Sequence, residues 1–491
     1  MKEKQTNVRL VTIGVFIATF MTAVEGTIVT TAMPTIVGSL HGIQLMNWVF
    51  SIYLLTNAML TPIYGKLADK VGRKPIFLFG TLLFIIGSAL CGFAQSMVGL
   101  IIARAVQGIG AGAMMPVALT IIGDLYSIEK RARVLGLNSS AWGIASVFGP
   151  LAGGFIVDTF SWHWIFFINV PIGLLLMFVI WFYLNEPKRE KNETKKMDLL
   201  GSFSLMLILL SLLLGFQLLG DNGIDAAVLS LFIVSVLMIA VFIYAEHRAE
   251  DPVIMLHLFK NPTFMVVNIA AALASGFLMG IDVYIPMWMQ GVLGLDASIG
   301  GLVLAPLSLV WMVGSFLAGK WLITLSPNRV LFFGLVITLT GSIWLYLMPV
   351  HSNFLWFFAI STILGVGLGI TMTTSTVTAQ NSVPSDQMGV ATSFNTLVRT
   401  LGQTIMVSIF GLLLNGITTS ELSQTSISDD PDIMNQLVNP QTAKLIDPDL
   451  LAPLRDILYD GLHAVYLVGV ILIIGALLLT IFVREGKKVL Q

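Results

Sequence analysis

The sequence predicts an all-α polytopic membrane protein with fourteen transmembrane helices and both termini on the cytoplasmic side. Three observations predict it. Of 491 residues, 56% are hydrophobic and only 11% charged, where soluble domains carry about 25% charged residues. Fourteen stretches reach the length a bilayer requires, about 20 predominantly apolar residues each. With the N-terminus inside, 22 of the 26 lysines and arginines fall in inner loops or tails, as the positive-inside rule demands.

The runs follow in order. The first, 10–36, is too long for a signal-peptide core and lacks a small-residue cleavage site, so it reads as a permanent span. Runs at 46–65 and 76–95 flank a basic inner loop with Lys66, Lys70, Arg73 and Lys74. Runs 98–122 and 134–157 flank Lys130, Arg131 and Arg133, and 163–184 completes a set of six. The polar stretch Asn185–Met197, with five basic residues, divides the chain. Two featureless apolar runs, 198–218 and 226–246, come next, then EHRAEDP, then 263–290, 298–322, 329–349, 354–380, 389–416 and 460–483. The expected organisation is a bundle over 1–187, a linker with two inserted helices over 188–256, and a second bundle over 257–491. The inner-side segments GKLADKVGRK and GKWLITLSPNR echo one another, which suggests repeated halves with a site near the membrane midplane between them. The outer loop 418–460 is acidic and is expected to be a solvated loop with short helices near 433–438 and 453–458.

Several functions are excluded. One cysteine, Cys91, gives no disulfide framework and no thiolate metal site. The six histidines lack metal-ligand spacing. GSFLAGK (Gly314–Lys320) imitates a phosphate-binding loop, but Trp321 stands where Ser or Thr is required and the stretch is transmembrane. A membrane-embedded enzyme would need clustered His, Asp or Cys at the bilayer face, and none is present, so the chain reads as a non-enzyme without metal. A net charge of −1 says nothing of nucleic acid.

Two segments stand out by their composition. In the loop Gly65–Lys74, Gly65 and Gly72 permit a tight reversal, while Asp69, set among Arg73 and the loop's lysines, can form a charge lock between helices, and its carboxylate also suits a helix N-terminus. Residues 143–154, GIASVFGPLAGG, hold Gly143, Gly149, Gly153, Gly154 and Pro150 within an apolar run. Small residues there let helices touch and bend.

These segments resemble the major facilitator superfamily, and specifically its fourteen-helix drug/proton antiporter branch. GKLADKVGRK is similar to the signature loop between helices two and three. IIARAVQGIGAGA resembles the fourth-helix motif at Arg104, Gln107 and Gly108, and GIASVFGPLAGG the fifth-helix antiporter motif. EGTIVTTAMP, WHWIFFINVPIG and GVATSFNTLVRTLGQ resemble the same branch. Glu25 stands where the branch usually has Asp, and Gln403 follows Gly402 where a second Gly is common. The resemblance implies a major-facilitator fold, a rocking seam at the glycine motif, and a proton-relay role for Arg104, which a structural anchor to backbone carbonyls would rival.

Charges within spans are costly and functional by default. Four lie well inside: Glu25, Arg104, Asp282 and Arg399. A buried carboxyl group holds a proton when empty and releases it to an arriving cation, so Glu25 and Asp282 are the candidates for proton coupling and substrate binding; the bland reading pairs them with Arg104 or Arg399. Arg399 is expected to be structural. Trp48, Tyr53, Asn57, Trp142, Phe148, Tyr284, Trp288 and Met289 are pocket candidates, since aromatic faces attract cations and methionine adapts to varied shapes.

The expectation is a monomeric plasma-membrane exporter of lipophilic, cationic drugs or dyes, driven by protons with no ATP and no cofactor, and so a determinant of antibiotic resistance in a bacterium. Export of an endogenous metabolite or lipid is the alternative; a receptor or scaffold is more remote.

Overall fold

The computed structural model describes residues 6–40, 45–186, 198–249, 254, 256–295, 297–384, 387–425, 433–438 and 443–482. The basic residues of 187–197 and of the C-terminal tail, and the acids at 429, 430 and 432, lie outside them. Among the described residues the chain is helical almost throughout and contains no strand. Seventeen helices occur among the described residues, and the predicted runs fall on them. Helices α1 (Val8–Leu40), α2 (Met46–Val71), α3 (Arg73–Gly92), α4 (Met97–Leu125) and α5 (Ile128–Thr159) open the chain, and the sixth run divides into a single turn, α6 (Trp164–Phe167), and α7 (Asn169–Tyr183). Helices α8 (Leu199–Asn222) and α9 (Ala226–Arg248) are the inserted pair. Helix α10 (Pro262–Met287) runs on into a π-helical turn, Trp288–Val292. The run 298–322 breaks into α11 (Ala297–Leu302) and α12 (Ala305–Thr324), with Pro306 at the start of the second. Helices α13 (Pro327–Tyr346), α14 (Leu355–Asn381) and α15 (Met388–Thr425) follow, and α16 (Ile433–Val438) lies where a short outer helix is expected. Helix α17 (Pro448–Phe482) starts twelve residues before the predicted run and takes in Pro453 and Arg455.

Eleven helical stretches, α6 and α7 together making one of them, are long and apolar enough to cross a membrane. Helices α2, α5 and α8 occupy the other three predicted runs. The first two are more polar: α2 carries Lys66, Asp69 and Lys70, and α5 carries Glu129, Lys130, Arg131 and Arg133. In α8 the apolar part is the shorter stretch Leu200–Phe216.

Polar caps set where many of the helices begin. Ser96, Asp198, Asp225 and Asn261 each accept a hydrogen bond from the first turn of the helix they precede, α4, α8, α9 and α10, satisfying N–H groups that have no intrahelical partner. Gly72 divides α2 from α3 at φ 114°, in the left-handed region, where a side chain would be strained.

Two groups of helices result. Helices α1–α7 pack on one another, chiefly α3 on α4, α2 on α4 and α1 on α5. Helices α10 and α12–α17 form the second group, chiefly α12 and α13 on α14, and α10 on α15. The groups meet along α2 with α15 and α5 with α12. Helix α8 lies in the groove between α2 and α15: Leu205, Leu209 and Leu213 sit among Leu55, Ala58 and Met59 on one side and Phe394, Leu397 and Leu401 on the other.

Small residues set the closeness of these contacts. A Cβ on Gly402 would stand 2.7 Å from the carbonyl carbon of Ala272, and one on Gly276 3.0 Å from the Gly402 carbonyl oxygen. Close packing of α10 on α15 is therefore achieved with Gly402 alone, and Gln403 does not prevent it. Gly402→Val is expected to destabilise the protein by about 1–3 kcal/mol through overpacking. Gly416→Ala, where nothing lies within 4 Å, is expected to leave stability unchanged or slightly raised; thermal unfolding in detergent reads both.

Candidate functional site

The most elaborate polar arrangement lies inside the first group. Glu25 on α1 is fully buried, and one carboxylate oxygen pairs with Arg104 of α4 at 2.5 Å. The other accepts a hydrogen bond from Asn169 Nδ2 of α7 at 2.7 Å. Arg104 also donates to Gln107 Oε1 at 2.8 Å and, through Nε, to the Val49 carbonyl at 3.2 Å. Its guanidinium lies 4.3 Å from the centre of the Tyr53 ring. Ser88 of α3 accepts from Asn169 and Gln107 and donates to the Phe166 carbonyl on α6. Six helices are joined by one ion pair and its neighbours. Each carboxylate oxygen has a partner, which a charge held away from water requires.

Asp282 is treated differently. It stands exposed on α10 between the buried Ile281 and Tyr284, with no ion pair among the described residues. Arg399 on α15 is half-buried and likewise makes no ion pair or hydrogen bond among the described residues. The two acids thus occupy opposite environments, one sealed and paired, the other open.

At the end of the molecule that carries the basic loops, Asp69 of α2 accepts hydrogen bonds from the backbone N–H groups of Gly389 and Val390, at 3.1 and 3.0 Å. These are first-turn amides of α15, so the carboxylate sits on the positive end of a helix of the other group. Arg73 lies 3.5 Å from Asp69 and also pairs with Asp124 of α4. Glu186 caps α3 by accepting from the Arg73 and Lys74 amides at 2.8 and 3.1 Å. Two further contacts cross between the groups at this end: Arg131 donates to Asn381 at 3.0 Å, and Gln380 to the Leu119 carbonyl at 3.3 Å.

The glycines of the loop act otherwise than expected. Gly72 makes the reversal, but Gly65 lies within α2, where an added Cβ would stand 2.7 Å from the Gly389 carbonyl oxygen and 2.6 Å from Ser393 Cβ. Its smallness serves the approach of α2 to α15, not a turn. The fifth-helix motif also departs from expectation. Gly149 faces Thr27 of α1, whose hydroxyl donates to the Ala145 carbonyl at 3.2 Å, so it packs helices of the same group. The seam runs instead through Gly136, whose added Cβ would lie 2.9 Å from Ser315 on α12. Gly153 is buried, and the surroundings of Gly143, Pro150 and Gly154 lie outside what is described.

The pocket candidates divide. Tyr53 is buried under Arg104, and Asn57 accepts a hydrogen bond from Thr61 of its own helix. Tyr284, Trp288 and Met289 belong to the packed core of the second group: Trp288 is enclosed by Phe357, Tyr459 and Tyr466. Their apolar area is spent on packing at the outer end of α10. Phe148 is half-exposed with its ring against Phe20, Trp48 is partly exposed, and Trp142 is nearly half-exposed. Sequence reading missed Asp124, Asn169, Ser88 and Glu186. Asn169 and Ser88 were signalled only by being polar within apolar runs.

The Major Facilitator Superfamily matches residues 15–407 of the chain. The multidrug transporter protein MdtP of Bacillus subtilis is 33% identical over 99% of this chain and 94% of its own length. Multidrug resistance protein 3 of the same organism is 36% identical over 86% of this chain and 82% of its own. The multidrug efflux pump SdrM of Staphylococcus aureus is 30% identical over 82% and 88%. Among solved structures, a bacterial homologue of the human lysosomal transporter Spinster superposes with a TM-score of 0.59, covering 96% of this chain and 95% of its own at 17% identity, a likeness of fold. This chain belongs to the Major Facilitator Superfamily and is a multi-pass membrane transporter, not an enzyme.

Proposed function

We propose that the protein exports lipophilic cationic drugs and dyes across the cell membrane in exchange for protons, with Glu25 as the proton-coupling group and Asp282 as the cargo acid. The names of its relatives support drug efflux. The division of labour rests on one observation: Glu25 is sealed within an ion-paired network, whereas Asp282 is open and unpaired. A cation needs an accessible carboxylate. A proton needs only a path to an oxygen, and protonating Glu25 removes the charge that holds Arg104.

The cycle follows from charge balance. A proton arriving from outside neutralises Glu25, and Arg104 keeps only its bonds to Gln107, to the Val49 carbonyl and to the Tyr53 face. A second proton on Asp282 displaces the bound cation outward. Loss of both protons to the cell interior restores the ion pair and the cation site. Each charge moved through 100 mV is worth about 2.3 kcal/mol, so the membrane potential and pH gradient drive the cycle without ATP or any cofactor beyond the proton. In this reading the chain is a monomer with fourteen spans, two bundles over 1–187 and 257–491, and an inserted pair within 188–256. Asp69 on the α15 N-terminus is the latch that holds the inner side shut between strokes.

Efflux of a permanently cationic dye from everted vesicles under a pH gradient tests the first assignment. Glu25→Gln is expected to reduce coupled efflux to background while purified protein still binds the dye; full coupled efflux in that variant overturns the role. Asp282→Asn is expected to weaken dye binding by about tenfold or more, the scale of a lost charge-assisted contact. The latch is read separately. Cys91, the native cysteine, is buried, so a cysteine at Thr392, buried at the inner seam, reports opening. Asp69→Ala removes contacts worth about 1–3 kcal/mol. It is expected to speed labelling of Thr392→Cys by an impermeant maleimide in everted vesicles at least fivefold or so; unchanged labelling removes the latch from the mechanism.

A further inference from the structure

Asn169 stands where the ion-paired network meets a break in the sixth span. It is the first residue of α7, directly after the single turn α6, and α6 packs on the outer end of α3, with Phe167 against Gly92 and Phe93. One turn further along α7, Gly173 lies close to α1 and α3: an added Cβ would stand 3.4 Å from Met21 Cε and 2.5 Å from Ile85 Cγ1. That closeness brings the Asn169 side chain to both helices. Nδ2 donates to Glu25 Oε2 at 2.7 Å and to Ser88 Oγ at 3.0 Å, and Ser88 in turn donates to the Phe166 carbonyl at 2.9 Å. Among the described residues, the titratable and charged groups that face Glu25 are Arg104 of α4, Tyr53 of α2 and Cys91 of α3. Helix α7 brings a neutral amide.

The two oxygens of Glu25 are not equivalent. Arg104 holds Oε1, and a guanidinium can only donate, so an arriving proton is carried on Oε2. An ionised carboxylate can only accept, which is why the amide presents Nδ2 to it. Once Oε2 carries a proton, the new O–H and the Nδ2–H point at one another, and the contact between them no longer holds. A half-turn of the amide puts Oδ1 in the place of Nδ2. Oδ1 has two lone pairs: one accepts from the Glu25 O–H, the other from the Ser88 hydroxyl as it swings away from Phe166. The Phe166 carbonyl keeps the Ile168 N–H, so it is not left bare, but the side-chain tie between α3 and α6 is released. The proton stays on Glu25 throughout, and the amide exchanges none.

We propose that Asn169 is a positioning residue that reads the protonation of Glu25 by turning its amide, and that Ser88 passes the turn to α6 by releasing the Phe166 carbonyl. Resting on the assignment of Glu25 as the proton-coupling group, this supplies a route by which neutralising one buried acid loosens the junction of α6 with the outer end of α3.

Infrared difference spectra of the purified full-length protein, taken between neutral and acid pH, test it. Wild type is expected to show a carboxylic-acid C=O band that Glu25→Gln lacks and a side-chain amide band that Asn169→Leu lacks, both growing with the same pH midpoint. Glu25→Gln is expected to lose the amide band as well. A Glu25 band without an Asn169 band overturns the switch alone, as does an Asn169 band that survives in Glu25→Gln. Absence of the Glu25 band overturns the proton-coupling reading, and the switch with it. In everted vesicles Asn169→Leu is expected to lower coupled dye efflux about tenfold, the scale of one hydrogen bond. Asn169→Gln, which keeps an amide able to turn, is expected to retain a larger share; an equal loss in the two variants, both folded by thermal unfolding, makes Asn169 a static brace and overturns the switch. Ser88→Ala unties α6 from α3 in both protonation states and is expected to keep the Glu25 band while lowering coupled efflux about fivefold; unchanged efflux overturns the Ser88 step.

Discussion

A buried carboxylate and guanidinium 2.5 Å apart impose the strictest condition on this molecule. Removing one member of such a pair costs about 3–5 kcal/mol, because the other is left charged and unpaired. The surrounding sequence meets the condition with residues that would otherwise be out of place in apolar helices: Gln107, Asn169 and Ser88 complete the hydrogen bonds, and Tyr53 covers the guanidinium. The first group of helices is thus held by one titratable centre. In the proposed cycle a single proton delivered there changes the contacts of six helices at once.

Among the described residues the second group has no counterpart. Its buried polar network is neutral: Asn395 donates to Asn268 and Ser375, and Ser375 in turn donates to the Val267 carbonyl. Amides and hydroxyls satisfy one another without charge, so this network is indifferent to pH over the physiological range. Of the two charges deep in its spans, Asp282 is exposed and Arg399 half-buried, and neither makes an ion pair among the described residues. One group carries a buried ion pair, and the other carries the two open charges of its spans.

Much of this was legible in the sequence. Hydropathy and the alternation of basic loops mark the helices, and the buried acid Glu25 announces itself as a charge in an apolar run. Asp69 on a helix N-terminus also follows from its chemistry, although which helix receives it depends on a contact between positions 69 and 389 that no local pattern encodes. The roles of Gly65 and Gly149 were misread for the same reason. A glycine in a helix declares that something comes close, but not whether it is a turn, a helix of the same group, or one across the seam. Tyr284, Trp288 and Met289 illustrate a further limit. In a bilayer, lipid, core and cavity all favour the same apolar residue types, so composition does not assign a face.

Helix α8 shows how the seam reconciles tightness with motion. In the proposed cycle helices α2 and α15, joined at the inner end by Asp69, are the pair that parts there, and α8 fills the groove between them. Its contacts on both sides are apolar, and its buried serines, Ser204 and Ser211, donate to carbonyls of their own helix. No described side-chain hydrogen bond joins α8 to α2 or α15, whereas breaking one in a membrane leaves a polar group unsatisfied at a cost of several kcal/mol. Leucine against leucine resists sliding far less, because lipid tails or other side chains replace the lost contact. The α5–α12 seam, closed by Gly136 against Ser315, depends on backbone proximity instead. The specific, directional contacts of the interface are therefore concentrated at its inner end, where Asp69, Arg131 and Gln380 cross, and the remainder of the α2–α15 seam is left free to slide.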